Sequence, residues 1–216
     1  MDFDGTITRN DVVDGILDRF TTNRNWEKIE QEWARGLIGS KECLTRQLAD
    51  VRLTERELES YLESVELDPG FLEFEKWLCG QGIDRVILSD GFDYFIRKVF
   101  ACREVPHIPF LSNSLRFEGG RLIPDFPHAG ESCGRCGHCK GSTLRSVRSR
   151  LGHVVFVGDG LSDLCALPES GTVFAKGRLA EHCHTNGIAC HEVRDFRDVQ
   201  RGMETALQEV LAGRNR

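Results

Sequence analysis

Two different hydrophobic rhythms divide this chain of 216 residues. Between residues 11 and 66 the apolar positions recur at helical spacing, in the segments VVDGILDRF, WEKIEQEWARGL, SKECLTRQLADV and TERELESYLESV. The last segment begins with Thr54 and Glu57, which have the spacing of a capping box at the start of a helix. We therefore expect an all-helical segment over residues 11–66.

Short apolar runs alternate with helical periodicity in the second part of the chain. The runs DRVILSD, VPHIPFLSN, HVVFVGD, GTVFAK and GIACHEV are typical of buried strands, and SLRFEG with GRLIPDF predicts a hairpin around Gly119 and Gly120. Strands that alternate with helices predict a mostly parallel sheet with helices on both faces. The pattern favours a Rossmann-like α/β core, formed by residues 1–10 and 67–216, with residues 11–66 inserted as a helical cap.

Composition narrows the choice of partners and compartment. The chain has 28 basic and 34 acidic residues, a formal net charge of −6, so no global positive field favours nucleic acid or an anionic membrane. No apolar run approaches the ~20 residues of a membrane span, and the N-terminus lacks a signal-peptide pattern. The odd count of nine cysteines argues against a secreted disulfide scaffold. We expect a cytoplasmic protein, and the sequence leaves its oligomeric state open.

The chain opens with MDFDGTIT, which places two carboxylates one residue apart. Successive side chains of a strand alternate, so Asp2 and Asp4 would point to the same side. Like charges at this spacing repel, and a cation or a shared proton normally holds such a pair together. The stretch therefore predicts a metal site. Only Met1 precedes Asp2, so we expect either more sequence upstream or a short and less stable first strand.

Polar residues at two other predicted strand ends belong to the same edge of the sheet. Ser89 and Asp90 end one strand, Asp159 ends another, and Lys140 begins a helix. In open α/β sheets, ligands bind beyond the carboxyl ends of the strands. Each of these segments alone is commonly a turn or a helix cap, but their convergence predicts a functional site.

Four short motifs carry a resemblance to a known family. In order and spacing, DFDGTIT, LSDG, CKG and VGDGLSD resemble the motifs of the haloacid dehalogenase-like phosphatases. The helical insert resembles the C1-type cap of their phosphoserine phosphatase-like branch, subfamily IB. Within that branch, LSDGFDYFI and the cysteines before the lysine are similar to methionine-salvage phosphatases that act on 2-hydroxy-3-keto-5-methylthiopentenyl-1-phosphate. Phosphocholine and phosphoethanolamine phosphatases are close neighbours, and all of these substrates are small phosphorylated metabolites.

The resemblance implies chemical roles for particular residues of the first three motifs. Asp2 would attack phosphorus to form an aspartyl phosphate, and Asp4 would act first as acid and then as base. Ser89 and Lys140 would bind the phosphoryl oxygens, because the charge on the transferring group needs donors and cations around it. The neighbouring residues Asp90 and Gly91 would also contact phosphate or substrate.

A magnesium ion is the cofactor that the resemblance implies. Asp2, the backbone carbonyl of Asp4, and Asp159 would bind it, which suits a hard ion that keeps several waters. Asp163 would bind the ion through water or orient neighbouring side chains. Asp11 stands where phosphoserine phosphatases use a glutamate to hold the substrate amine, so it is a candidate substrate contact. The aspartate in place of that glutamate argues against a serine substrate.

The cysteine cluster supports a different class of function. Cys133, Cys136 and Cys139 have the spacing C-x2-C-x2-C and, with His128 and His138 nearby, could supply thiolate and imidazole ligands for zinc. A second pair of ligands would have to come from distant Cys165, Cys183 or His184. In that hypothesis the protein is a non-catalytic zinc or redox module. The alternative is a glycine-rich loop with small thiols that leads into the next helix. A third hypothesis keeps the aspartyl phosphate but transfers the group to another acceptor, as a mutase or transferase does.

Overall fold

The computed structural model describes residues 1–129, 134–150 and 152–214. The first third of the chain contains four helices, which are α1 (Val12–Phe20), α2 (Asn25–Ala34), α3 (Ser40–Leu48) and α4 (Glu55–Ser64). The capping box at the start of α4 is present: the hydroxyl of Thr54 accepts the N–H of Glu57, whose carboxylate accepts the N–H of Thr54. The helices predicted from the apolar spacing therefore form, and most of them are a few residues shorter than the segments from which they were predicted.

Strands and helices alternate in the rest of the chain. The elements are α5 (Phe71–Gln81), β1 (Ile87–Phe92), α6 (Asp93–Cys102), β2 (Phe110–Glu118), β3 (Arg121–Asp125), α7 (Lys140–Val147), β4 (Val155–Gly158), β5 (Thr172–Ala175), α8 (Gly177–Thr185), β6 (His191–Glu192) and α9 (Phe196–Arg214), with 3₁₀ helices at Arg148–Arg150 and Leu161–Glu169. The hairpin forms where it was predicted, because Gly119 and Gly120 both take positive φ. The predicted runs VPHIPFLSN and SLRFEG are parts of the single strand β2.

The N-terminal residues lie between two three-stranded sheets. One sheet has the order β1-β2-β3 and the other β4-β5-β6, and all pairs are parallel except β2 with β3. The amino group of Met1 donates to the carbonyl of Val86 at 3.0 Å, and its carbonyl accepts the N–H of Leu88 at 2.9 Å. On the other side, the N–H of Asp2 donates to the carbonyl of Val157 at 2.9 Å. The predicted first strand is thus reduced to a two-residue link that joins β1 to β4.

Helices cover both faces of this arrangement. Phe156 and Val157 are neighbours on β4 and enter different hydrophobic clusters, as the alternation of a strand requires. The larger cluster includes residues of α5, α6 and α9, and the smaller one residues of α7, α8 and the 3₁₀ helix Leu161–Glu169. The predicted α/β class is confirmed.

The larger cluster also extends into the first four helices. Ile16 of α1 and Leu62 of α4 are buried in the same cluster as Phe71 and Phe196, whose ring centroids are 5.3 Å apart. The division into a core and a cap at residues 11–66 therefore stays a prediction. None of the helices in the described parts of the chain combines the length and apolar character needed to cross a bilayer.

Candidate active site

The predicted site residues converge at the carboxyl ends of β1 and β4 and at the N-terminus of α7. A cavity at this edge is lined by six of the predicted residues, which are Asp2, Asp4, Asp11, Asp90, Gly91 and Asp159. Ser89 and Lys140 are buried directly behind it, where they contact Asp4 and Asp2 respectively. Segments separated by more than 150 residues thus meet at one cavity, as the strand-end argument predicted.

Lys140 is a fully buried cation at the first residue of α7. Its Nζ lies 2.8 Å from Oδ1 of Asp2 and 2.5 Å from Oδ1 of Asp163. Burial by itself lowers the pKa of Lys140, but the two carboxylates outweigh that effect and the net pKa is raised. The ammonium group therefore stays charged and points its protons at Asp2.

Asp163 uses both carboxylate oxygens for protein contacts. Oδ1 accepts from Lys140, and Oδ2 accepts the backbone N–H groups of Asp159 and Gly160 at 3.0 and 3.1 Å. The side chain is fully buried. Asp163 thus fixes the position of Lys140 relative to the turn that carries Asp159, and this contact pattern fits the orienting role better than direct contact with an ion.

A group of carboxylates suited to a hard cation lies beside the lysine. One oxygen each from Asp2, Asp159 and Asp163 lie within 4.8 Å of one another. The pKa of Asp159 is raised to about 6, mainly by burial and next by the negative charge of Asp163. The same two causes raise the pKa of Asp2. The hydroxyl of Thr6 donates to Oδ1 of Asp159 at 2.5 Å. Oxygen donors with this surplus of negative charge fit Mg²⁺, which would neutralise them.

Asp4 has a different environment from Asp2 although only one residue separates them. Its Oδ1 accepts the N–H of Val12 at 3.2 Å, and its Oδ2 accepts the hydroxyl of Ser89 at 3.3 Å. Burial first, and then the charge of Asp11, raises the pKa of Asp4 to about 8. Burial raises the pKa of both acids, but Asp2 faces the ammonium group of Lys140 whereas Asp4 accepts from Val12 and Ser89, and such different partners suit the two carboxyl groups to different chemical roles.

Two glycines allow the backbone to approach these acids. A Cβ on Gly91 would lie 2.2 Å from Oδ2 of Asp4, and a Cβ on Gly5 would lie 2.5 Å from Oδ2 of Asp159. The N–H of Gly91 also donates to Oγ of Ser89 at 2.9 Å. Gly5 has φ of +67°, so a side chain there would be strained as well as crowded.

Asp90 links the cavity to the loop before α7. Its Oδ1 accepts the N–H of His138 at 2.7 Å, and its backbone carbonyl accepts the side-chain amide of Asn113 at 2.6 Å. The pKa of Asp90 is raised, mainly because the carboxyl group is buried. Sequence reasoning missed Asn113, although its position at the end of the run VPHIPFLSN could have indicated it, as Ser89 and Asp90 were indicated by theirs.

The far side of the cavity is formed mainly by the first helices and by α8. Its lining includes Asp14, Glu30, Trp33, Ser40, Gln47 and Arg178. Nη1 of Arg178 lies 3.6 Å from Oε1 of Glu30, and its guanidinium carbon lies 5.9 Å from the ring centre of Trp33. The lining residue Asp11 is also the N-cap of α1, where Oδ1 accepts the N–H of Asp14 at 2.9 Å. No local sequence signal distinguished Arg178 from a solvated helix residue.

The cysteines group differently from the sequence pattern. Cys133 lies outside the described residues, but the Sγ atoms of Cys136, Cys139 and Cys165 lie within 4.8 Å of one another. Of the more distant ligands considered, Cys165 is therefore the one that joins them. Cys183 is buried next to Cys190 instead, and His184 lies 3.7 Å from Glu192.

Solved structures with similar folds include phosphoserine phosphatases. A phospho-aspartyl intermediate analogue of phosphoserine phosphatase superimposes with a TM-score of 0.73 and 22% identity, over 93% of this chain and 95% of that chain. A substrate-bound phosphoserine phosphatase complex superimposes with a TM-score of 0.73 and 21% identity, over 93% and 94% of the two chains. At these identities the likeness defines the fold, which is that of a haloacid dehalogenase-like phosphatase.

Sequence comparison defines the family more closely. The profile of the family described as "Putative Phosphatase" matches residues 1–174. "Pdp3-interacting factor 1" of Schizosaccharomyces pombe is 33% identical over 94% of this chain and 93% of its own. A "2-hydroxy-3-keto-5-methylthiopentenyl-1-phosphate phosphatase" of Bacillus mycoides is 28% identical over 97% of both chains. The chain belongs to this phosphatase family, in the phosphoserine phosphatase-like branch, so the predicted enzyme class is confirmed.

Proposed function

We propose that the protein is a Mg²⁺-dependent phosphomonoesterase that hydrolyses a small phosphorylated metabolite through an ester of phosphate with Asp2. One observation carries the proposal. Oδ1 of Asp2 accepts the N–H of Phe3 at 2.7 Å and faces Lys140 at 2.8 Å, while the side chain lines the cavity. These contacts fix the carboxylate and leave Oδ2 for attack on phosphorus.

In the first step, Oδ2 of Asp2 bonds to phosphorus and the bond between phosphorus and the ester oxygen breaks. The leaving oxygen takes the proton of Asp4, whose raised pKa keeps that carboxyl group protonated near neutral pH. Lys140 and Ser89 donate hydrogen bonds to the phosphoryl oxygens, where negative charge accumulates. The positive end of the α7 dipole, at Lys140, adds to this attraction.

In the second step, water attacks phosphorus and Asp4 accepts its proton. The bond between phosphorus and Asp2 breaks, and inorganic phosphate is released. Mg²⁺ would be held by Asp2, the carbonyl of Asp4, and Asp159, where it would supply positive charge that stabilises the phosphoryl oxygens. Asp163 orients Lys140 and the turn of Asp159 throughout.

The name of the Bacillus mycoides relative supports 2-hydroxy-3-keto-5-methylthiopentenyl-1-phosphate as the first candidate substrate. In this proposal residues 11–66 act as the cap that covers the organic part of the ester, and Trp33 offers an apolar surface to it. A cap that closes over the cavity excludes water and so strengthens the electrostatic contacts with the phosphoryl group.

The charge of the cavity supports a second candidate, a phosphate ester of an amino alcohol. Three acids on the far side, Asp11, Asp14 and Glu30, face a single arginine, Arg178, in the described lining. An ammonium or quaternary ammonium group would balance this surplus, and Trp33 could contact it through its ring face. Phosphoethanolamine, phosphocholine and phosphoserine belong to this class.

Phosphate release from a panel of these esters, with Mg²⁺ and with chelator, tests the proposal. We expect Mg²⁺-dependent release of free phosphate, lowered about a thousand-fold or more in Asp2→Asn. Asp18→Asn removes an exposed acid of α1 and serves as the matched control. Full activity in Asp2→Asn would overturn the mechanism, and transfer of phosphate to an added alcohol instead of to water would indicate a transferase.

Glu30→Gln separates the two substrate classes. If the substrate carries an ammonium group, loss of this negative charge raises KM for that ester and leaves KM for the methylthio ester nearly unchanged. If the substrate is the methylthio ester, the variant retains its KM for that compound, and the amino-alcohol esters remain poor substrates of both proteins.

A further inference from the structure

A second group of metal-ligand side chains lies beside the phosphatase cavity and has no part in the proposed reaction. It consists of Cys136, Cys139 and Cys165, whose Sγ atoms all lie within 4.8 Å of one another. The first two come from the loop before α7, and the third comes from the 3₁₀ helix Leu161–Glu169. The group is therefore assembled by the fold and not by local spacing alone.

We propose that Cys136, Cys139 and Cys165 bind one thiophilic divalent ion of the Zn²⁺ class. Thiolates bound to tetrahedral Zn²⁺ at ~2.3 Å lie roughly 3.8 Å from one another. Three sulfur atoms already within 4.8 Å need only small side-chain movements to reach that arrangement. A disulfide would instead bring two of them to ~2 Å and leave the third outside the bond.

The surroundings favour the thiolate form that a metal requires. The N–H of Gly141, in the first turn of α7, donates to Sγ of Cys165 at 3.4 Å. Cys139 is the N-cap residue of the same helix, so its sulfur lies near the positive end of the helix dipole. In metal sites of proteins, N–H groups that donate to ligand sulfur atoms also hold those sulfur atoms in the orientation that the metal needs.

The position of this cysteine site connects it to the catalytic elements. Cys139 directly precedes Lys140, and Cys165 follows Asp163 by two residues, so an ion would cross-link the two segments that the Lys140–Asp163 contact already joins. The same loop also reaches the predicted cap, where Nη2 of Arg135 donates to the carbonyl of Gly36 at 2.8 Å. We infer a structural ion that stiffens this edge of the cavity.

The cysteine site uses sulfur ligands, whereas the proposed Mg²⁺ site uses carboxylates, so the two can be tested separately. The full chain, reduced and freed of metal, is titrated with Co²⁺ alone, and the sulfur-to-cobalt charge-transfer absorption is recorded. We expect a thiolate band that saturates at one ion per chain and is displaced by Zn²⁺. Asp2→Asn should keep the band, so loss of phosphatase activity does not affect this result.

Cys165→Ser should lose the charge-transfer band, and Cys102→Ser, which removes an exposed thiol at the end of α6, should retain it. Because Cys165→Ser could lose the band simply by misfolding, the alkylation of cysteines is also measured on the unaltered chain. Bound Zn²⁺ should protect Cys136, Cys139 and Cys165 from alkylation, while exposed Cys102 reacts at its usual rate. Absence of the band, its survival in Cys165→Ser, or equal alkylation with and without Zn²⁺ would overturn the proposal.

Discussion

Nζ of Lys140 lies 2.5 Å from Oδ1 of Asp163, and neither side chain has any exposed surface. The pair joins the first residue of α7 to the 3₁₀ helix that follows β4, and through Oδ2 of Asp163 it also fixes the turn of Asp159. A buried ion pair contributes little net stability, but removal of one partner leaves the other charge uncompensated. The geometry of the site therefore depends on this contact.

Asp163→Asn should destabilise the protein by about 3 kcal/mol, because a buried ammonium loses its nearest carboxylate. Phosphatase activity should fall as well, since Lys140 and the turn of Asp159 are no longer held together. The measurements are denaturant unfolding and initial rates on the same preparation. Glu66→Gln, which removes an exposed partner of Arg9, is the control and should change neither quantity appreciably. Wild-type stability in Asp163→Asn would contradict this account.

Gly91→Ala should reduce activity strongly while the protein still folds. The added Cβ would lie 2.2 Å from Oδ2 of Asp4 and 3.1 Å from Oγ of Ser89, so the proposed acid and its neighbour must move. We expect kcat to fall more than KM rises, because proton transfer depends on the position of Asp4. Steady-state kinetics and a thermal melt check both parts.

Gly80→Ala is the matched control for that change. Gly80 lies in α5, and a Cβ there meets nothing within 4 Å. The substitution should stabilise the helix by about 0.5–1 kcal/mol and leave the kinetics unchanged. A similar loss of activity in both alanine variants would show that the effect at position 91 is not local.

Arg178→Ala should raise KM several-fold with a smaller effect on kcat. The side chain connects α8 to α2 through Glu30 and Trp33 at the far side of the cavity, where it contacts no residue proposed for the phosphoryl chemistry. The melting temperature should change little, because half of the side chain is exposed. Arg194→Ala, at an exposed arginine that pairs with Asp198, is the control and should keep the wild-type KM.

The contribution of His138 to stability should be lost as the pH falls from 6.5 toward 4, while the raised pKa values of the buried acids Asp4 and Asp159 act in the opposite direction. Burial, the main cause, lowers the pKa of His138 from 6.5 to about 4. Between these values the unfolded chain takes up a proton that the native protein does not, so the contribution is complete above pH 6.5 and is lost as the pH falls toward 4. At ~1.4 kcal/mol per pH unit, the loss amounts to about 3 kcal/mol.

Urea unfolding at several pH values measures this dependence, with His138→Gln as the comparison. In the folded protein, Nδ1 of His138 lies 3.2 Å from the carbonyl oxygen of Ser89, and Nε2 lies 2.9 Å from Oγ1 of Thr143. Glutamine does not titrate in this range, so the free energy of unfolding of the native protein should fall relative to that of the variant as the pH is lowered from 6.5 to 4. Parallel profiles for the two proteins would contradict the prediction.

Local pattern was sufficient to predict most of the elements. Helical spacing predicted the four helices between residues 11 and 66, and the apolar runs predicted each strand from β1 to β6. The opening segment was the exception. Met1 and Asp2 form hydrogen bonds to neighbours on both sides but no regular strand before the turn at Gly5.

The candidate site was predictable where its residues follow strands. Asp159 directly follows β4, Asp2 lies in the link between β1 and β4, and Ser89 lies within β1, which continues to Phe92. Parallel strands bring their carboxyl ends to one edge. Thr6 lies in the first motif, but its contact with Asp159 was not foreseen. The sequence did not predict Asn113 and Arg178 as site residues, because their partners Asp90 and Glu30 belong to other segments of the chain.

The sequence by itself determined the alternation of strands and helices and the set of acids, lysine and serine at one edge of the sheet, because both depend on periodicity and on order along the chain. Only the tertiary structure decided that Asp163 uses both oxygens to hold Lys140 and the turn of Asp159. It also decided that Cys165 joins Cys136 and Cys139. Such contacts depend on how helices pack across the sheet, and no local spacing encodes that packing.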